Sequence, residues 1–233
     1  SVLARLEEKA GVKSGDCFDM ICGTSTGGLI ALGLANGMAA DDLVKLYIDN
    51  GKGIFPTAEN RQLRWLQRKV VQVATQTFFW GKFSNKNLKN ILENTFGGTT
   101  LGQLQNLVLI PSFNLTSGMP RIFKFPHKEG DFFMDKDIKL VDAALATSAA
   151  PTYFPIHNIN DTLFIDGGVW ANNLAYCYQK MSIVTVAHYM EELLGRHSNH
   201  TKVCIGHWQL VPNQIKWMFG YVCCIIVIYR RSR

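Results

Sequence analysis

The 233-residue sequence has no CxxC pair, no His/Cys spacing of a zinc site, no internal repeat and no low-complexity tract. Its six cysteines, Cys17, Cys22, Cys177, Cys204, Cys223 and Cys224, therefore form neither a metal module nor a disulfide framework by pattern, and a reducing, intracellular setting is their simplest environment. No metal and no cofactor is expected. Clustered charge is scarce too: 24 Lys and Arg stand against 18 Asp and Glu, and the longest basic cluster is Arg230, Arg231 and Arg233. Without the basic stripe of a nucleic-acid groove, no nucleic-acid partner is expected, whereas the formal charge of +6 suits an anionic lipid surface. No apolar run reaches the ~18 residues of a membrane span. Trp217–Tyr229, 13 residues long, reads as a buried helix or strand in preference to a membrane anchor. Ser1 is followed by no charged-then-apolar leader, so the expected location is cytoplasmic, at most peripheral to a membrane.

What is present is ordinary globular composition, 47% apolar and 18% charged, enough for one sizeable core. Val2–Ala10 reads as an amphipathic helix with Leu3 and Leu6 on its apolar side, closed by Gly11. Cys17–Cys22 is a compact apolar run between glycines and predicts a buried strand. Leu29–Ala35 is apolar all round and ends at Asn36-Gly37, which predicts a buried helix. Further helices are expected over Asp41–Ile48, from a Ser84 cap through Phe96, and over Leu140–Ala149 ahead of Pro151. Between Gly51 and Lys82, the apolar spacing of Leu63, Leu66, Val70 and Val73 suggests a helical excursion, whose Phe55, Trp65, Phe78, Phe79 and Trp80 suit either a core or an acyl-chain or membrane-contact surface. Asn106–Leu115 and Pro120–Phe125 read as two strands joined by a Ser-Gly turn, as a hairpin or a tight link, and Thr162–Ile165 as a short strand that delivers Asp166. Strands interleaved with helices point to an α/β layered fold with a largely parallel sheet.

Gly23-Thr24-Ser25-Thr26-Gly27 matches G-x-S-x-G, in which a serine sits on a sharp turn between a strand and a helix. The flanking positions Gly23 and Gly27 must lack side chains that would collide with the two elements. The N–H groups of Thr26 and Gly27, at the start of the helix, are candidate donors to a developing oxyanion. By chance alone the pattern arises in roughly 8% of chains of this length, so its weight comes from the apolar strand before it and the apolar helix after it. The bland reading is a glycine-rich turn in which Ser25 caps the helix.

A serine nucleophile needs a base, and two arrangements offer one. In the order Ser, Asp, His, Asp166 followed by His188 or a later histidine completes a triad. Alternatively, Asp166-Gly167-Gly168 places a carboxylate at a strand end, with two glycines that let the chain pass close to the serine, and Asp166 itself is the base. A free aspartate, with a pKa of about 3.9, is a weak base, so the second arrangement requires burial to raise it. The bland reading of Asp-Gly-Gly is a turn in which the carboxylate only accepts backbone N–H groups.

Three stretches in order, LARLEEKAG with CFDMICGTSTGGLIALGLANG (3–37), LATSAAPTYFPI (145–156) and FIDGGVWANN (164–173), resemble the signatures of the patatin-like phospholipase family. The resemblance covers about residues 1–175 and begins downstream of that family's glycine-rich first loop. It implies a three-layer α/β/α sandwich, hydrolysis of fatty-acyl esters in membrane phospholipid or another acyl lipid, Ser25 as nucleophile and Asp166 as base, with no metal. Some relatives of this kind are switched on by nucleotide second messengers, which leaves room for a small-molecule activator. Without the first strand and its loop, an oxyanion donor and a sheet neighbour are expected to be missing, so an inactive lipid- or partner-binding module and a His-dependent esterase stand as the alternatives. Residues 1–175 are expected to form the hydrolase domain, and residues 176–233 a C-terminal segment without recognisable pattern.

Overall fold

A computed structural model of the chain describes residues 1–18, 20–54, 85–126, 133–171, 203–207 and 225–229. Helix α1 (Val2–Ala10) is capped by the Ser1 hydroxyl and closed by Gly11 in the left-handed conformation. Leu3 and Ala4 pack toward the core while Leu6 is 54% exposed, so the inward face runs through Leu3, Ala4 and Glu7 and not through Leu6 as expected. The Glu7 carboxylate explains the rotation: one oxygen accepts the Ser14 N–H at 2.7 Å and the other the Ala40 N–H at 2.8 Å. It thereby holds the starts of α2 (Ser14–Cys17) and α4 (Ala40–Ile54), where helix N–H groups lack partners of their own.

The expected strand at Cys17–Cys22 is shorter, β1 (Met20–Cys22), because Cys17 closes the helical turn α2. Asn106 fixes that turn, donating to the Gly15 and Phe18 carbonyls at 2.7 and 2.5 Å. Helix α3 (Thr26–Ala35) is buried along nearly its whole length, as its uniform apolarity predicts. Helix α4 is longer than expected and passes through Gly51 and Gly53, which propensity alone treats as weak points. In α5 (Lys86–Phe96) the buried residues are Leu88, Leu92 and Phe96, one every four; its N-cap is Asn85, and Ser84 lies outside the described residues.

Of the two readings of the Ser-Gly turn, the hairpin holds: strands β2 (Leu107–Asn114) and β3 (Met119–Lys124) pair antiparallel. Helix α6 (Leu140–Thr147) is followed by β4 (His157–Ile159), β5 (Thr162–Asp166) and the turn-length helix α7 (Gly168–Ala171). Strands β6 (Val203–His207) and β7 (Ile225–Tyr229) bring the sheet to seven strands among the described residues, with hydrogen-bonded neighbours along the path β4-β5-β2-β1-β7-β6 and β3 also on β2. The fold is α/β, and the sheet is mixed where mostly parallel strands were expected. Only β1 and β2 pair in parallel, and every other described pair is antiparallel. Short links such as the Ser117-Gly118 turn cannot carry a crossover, so they return the chain antiparallel. The second edge of β1 has a neighbour in β7, with Ile21 opposite Ile228. Part of the expected apolar stretch 217–229 is thus a strand, and two pieces of the segment 176–233 share the sheet of the first 175 residues.

One pairing detail brings distant residues together. Successive backbone groups of a strand point to opposite edges. The Val108 carbonyl of β2 accepts from Phe125 beside β3, whereas the Leu109 carbonyl accepts from Gly23 after β1, and the Leu115 N–H donates to Leu163 of β5. Odd-numbered residues of β2 therefore face both β1 and β5, and these two strands lie end to end along one edge. Since β1 runs with β2 and β5 against it, their C-terminal ends approach each other near Pro111.

Against this sheet pack α3 and α6, whose Leu32, Leu34, Leu140, Ala143 and Ala146 are fully or almost fully buried. Phe123 and Phe164 fill the other principal contact, with ring centroids 5.3 Å apart at 55°. Among the described residues no helix is long and apolar enough to cross a membrane.

Candidate active site

Ser25 sits where β1 turns into α3. A Cβ on Gly23 would lie 2.1 Å from the Gly27 carbonyl oxygen, and one on Gly28 would lie 2.8 Å from Cγ2 of Thr147, so the turn tolerates only glycine at these points. Ser25 has φ 56° and ψ −126°, a conformation that side-chain-bearing residues rarely adopt and that costs about 1–3 kcal/mol. Such strain persists only where surrounding contacts over-determine the backbone. Here the Ser25 N–H donates to Thr147 Oγ1 at 3.0 Å, and the Ser25 carbonyl accepts from Gly28 and Leu29 at 2.9 and 3.2 Å.

Ser25 occupies the N-cap position of α3 but its hydroxyl makes no capping bond. Instead it donates to Asp166 Oδ2 at 2.5 Å, across 141 residues of sequence, with both side chains buried. The helix-cap reading of Ser25 is thereby replaced. Asp166 Oδ1 accepts the Gly168 N–H at 2.6 Å, so this carboxylate both braces its own turn and meets the serine. Its pKa is pushed up to about 6: burial disfavours the charged form, and the hydrogen bonds from Ser25 and Gly168 offset only part of that cost. Burial thus brings the pKa of this carboxylate closer to neutrality than that of a free aspartate.

Gly167 serves close approach. A Cβ there would lie 2.3 Å from the Pro111 carbonyl oxygen. The Gly27 N–H, expected to face an oxyanion, donates to the Thr24 carbonyl at 2.9 Å and is spent within the turn, since the elbow folds back on itself. Thr24 Oγ1, next to the serine, is buried and finds no hydrogen-bond partner among the described residues.

His157, the described histidine whose side chain is placed, has Nε2 3.1 Å from Asp142 Oδ1, and so does not stand beside Ser25 in place of Asp166. His188, His197 and His200 lie outside the described residues, as do Phe55, Trp65, Phe78, Phe79 and Trp80 and the excursion that carries them. Asn172 and Asn173 lie outside them as well.

The residues missed by sequence reasoning are Thr147, Pro111 and Ser112. Ser112, opposite Asp166 in the sheet, has its hydroxyl 2.8 Å from the Ile165 carbonyl and 3.2 Å from that of Ala146. Thr147 lay within a quoted signature, but nothing in its spacing announced a contact with residue 25.

The α/β sheet thus buries a serine, on a strained strand-to-helix elbow, against an aspartate at a strand end. Residues 1–176 match the patatin-like phospholipase family, and the chain belongs to it. A cGAMP-activated phospholipase of Escherichia coli is 42% identical over 178 residues, which cover 75% of this chain and 47% of that protein. Its counterpart in Vibrio cholerae is 40% identical over 176 residues, 73% of this chain and 48% of the relative. Patatin-like protein 2 of Oryza sativa is 35% identical over 180 residues, 70% of this chain and 42% of the relative. The chain thus spans about half the length of the curated relatives it matches.

Proposed function

We propose that this chain is the acyl-hydrolase core of a phospholipase that cleaves fatty-acyl esters through Ser25 and Asp166. The observation that carries the reading is the buried 2.5 Å hydrogen bond from Ser25 Oγ to a carboxylate whose pKa is raised to about 6. Asp166 takes the Ser25 proton as Oγ attacks the ester carbonyl carbon. The charge on the carbonyl oxygen falls at the N-terminus of α3, with the Thr26 N–H as donor. The tetrahedral intermediate collapses with loss of the alcohol portion of the lipid, protonated by Asp166, and leaves the acyl group on Ser25. Water, deprotonated by Asp166, then attacks the acyl carbon, and the bond to Oγ breaks as Ser25 takes that proton back from Asp166 and the fatty acid leaves. No metal takes part in these steps.

Membership of the family supports the lipid-ester substrate class, and the net charge of +6 suits work at an anionic membrane surface from the cytoplasmic side. Ser25→Ala and Asp166→Asn should each abolish hydrolysis of a phospholipid substrate and, for the serine variant, covalent labelling by a fluorophosphonate probe. Undiminished turnover in either variant refutes the dyad. A chain that is folded yet unreactive before mutation favours a lipid- or partner-binding module, and dependence on His188 or a later histidine favours the esterase triad.

The bacterial relatives named cGAMP-activated phospholipases support a small-molecule activator for the intact protein, with cGAMP the compound to try. Stimulated hydrolysis on its addition is the expected result; a rate indifferent to it at saturating concentration removes the idea.

A further inference from the structure

Both halves of the Ser25–Asp166 contact are held from one short piece of chain, the end of α6. The Thr147 side chain receives the Ser25 N–H at 3.0 Å and donates to the Pro111 carbonyl at 2.6 Å. The Thr147 carbonyl accepts the Gly167 N–H at 3.3 Å, and the Ala149 carbonyl accepts the Asp166 N–H at 2.9 Å. These positions are those where β1 and β5, meeting end to end on β2, run out of ladder partners: the Pro111 carbonyl points into the gap, and Thr147 fills it.

The direction of each proton in this relay is fixed. A backbone N–H such as that of Ser25 can only donate, and a carbonyl such as that of Pro111 can only accept, so the hydroxyl proton of Thr147 must point to Pro111 and a lone pair to Ser25. Thr147 has no accessible surface, so bulk water does not reach its hydroxyl. The strained residue 25 therefore depends on one hydroxyl to satisfy its N–H. Serine keeps this chemistry; alanine and valine do not.

We infer that Thr147 is a positioning residue of the reaction, whose hydroxyl holds the Ser25 backbone in the conformation that aims Oγ at Asp166. The inference rests on the assignment of Ser25 as nucleophile. A displacement of about 1 Å in such a site costs on the order of 100-fold in rate, and loss of one buried hydrogen bond leaves its partner's desolvation uncompensated. The effect belongs to the chemical step and not to lipid binding, since Thr147 is shut off from any substrate.

The variants Thr147→Ser and Thr147→Ala test this, because both lack the methyl group that stands where a Gly28 side chain would go and differ only in the hydroxyl. In the intact protein, kcat and KM for p-nitrophenyl butyrate and the fluorophosphonate labelling rate are measured per folded molecule, the folded fraction being read by circular dichroism. Thr147→Ala should lose about 10- to 100-fold in kcat and labelling rate with KM within about twofold, and Thr147→Ser should stay within about threefold of the parent. If alanine does not fold, Thr147→Val keeps the volume and should show the same loss. Equal rates for serine and alanine, whether both fast or both slow, overturn the inference, as does a loss confined to the melting temperature. Ser25→Ala is run alongside: if it still turns over, the nucleophile assignment fails and takes the clamp with it, whereas a dead Ser25→Ala beside a fully active Thr147→Ala removes the clamp alone.

Discussion

A methyl group on Gly23 would stand 2.1 Å from the Gly27 carbonyl oxygen and 2.4 Å from its carbon. The elbow is therefore closed backbone against backbone, with no flexible side chain able to yield. Gly23→Ala must open the turn that carries Ser25. We expect it to destabilise the fold by ~3 kcal/mol or more, toward the upper end of overpacking costs, and to end ester hydrolysis. Thermal melts and an esterase assay check both, and native values in either count against the closed elbow.

The acid limb of the rate profile reports on Asp166. Burial raises its pKa to about 6, outweighing the Ser25 and Gly168 hydrogen bonds. In the proposed role of base it must be ionised, so kcat/KM should climb about tenfold per pH unit below about 6 and level off above it. A limb centred at about 4 would mean a solvated carboxylate, and one that persists unshifted in Asp166→Glu but is lost in a histidine variant would mean an imidazole base.

The same burial makes the charged site a burden on folding. The folded pKa of about 6 lies above the ordinary 3.8, so the folded chain holds this proton more tightly than the unfolded one. The group's contribution is then most favourable below about pH 4 and is lost as pH rises through about 6. The gap between the two values corresponds to ~3 kcal/mol. Asp166→Asn, which keeps an oxygen for the Gly168 N–H, should be inactive yet melt higher than the parent at pH 8, with the difference fading toward pH 4. An equal or lower melting temperature at pH 8 would show that the carboxylate is not desolvated.

Much of this site was legible because its chemistry is written locally. Gly23 to Gly28 announces a tight turn, the apolar runs on either side announce strand and helix, and Asp166 follows a strand-like TLFI. The contact between positions 25 and 166 was not derivable from either segment, since it depends on β1 and β5 sharing one edge of β2. Strand direction was misjudged for a related reason: interleaved helices imply crossovers only where links are long, and the β2–β3 and β4–β5 links are short. Leu6 failed as a core residue because periodicity weighs apolar side chains, whereas the orientation of α1 follows a carboxylate, Glu7. Thr147 was invisible for the same kind of reason: a threonine in an alanine-rich helix looks like filler until its hydroxyl is seen bridging two other chain segments.

Thr24 offers a test of the opposite sign. Its hydroxyl is buried beside Ser25 without a hydrogen-bond partner among the described residues. Valine has nearly the same shape and removes the unsatisfied group, so Thr24→Val should stabilise the fold by ~1 kcal/mol, the scale of such desolvation penalties. Chemical denaturation measures this, and a destabilised variant would imply a partner for the hydroxyl in solution.

Glu7 separates fold from chemistry. Its two carboxylate oxygens hold the Ser14 and Ala40 N–H groups, at the first turns of two helices whose termini have no other acceptor for them, so Glu7→Ala leaves two part-buried donors uncompensated. Each such donor costs about 1–3 kcal/mol when abandoned, moderated here by partial access to water. The variant should therefore lose about 2 kcal/mol of stability, while Glu7→Gln, which retains one acceptor oxygen, should lose about half as much. Neither residue 14 nor residue 40 belongs to the Ser25 elbow or the Asp166 turn. Turnover per folded molecule should then stay at the parent value below the melting transition, and a fall in kcat without a fall in stability would mean that α1 reaches the site by a route these contacts do not contain.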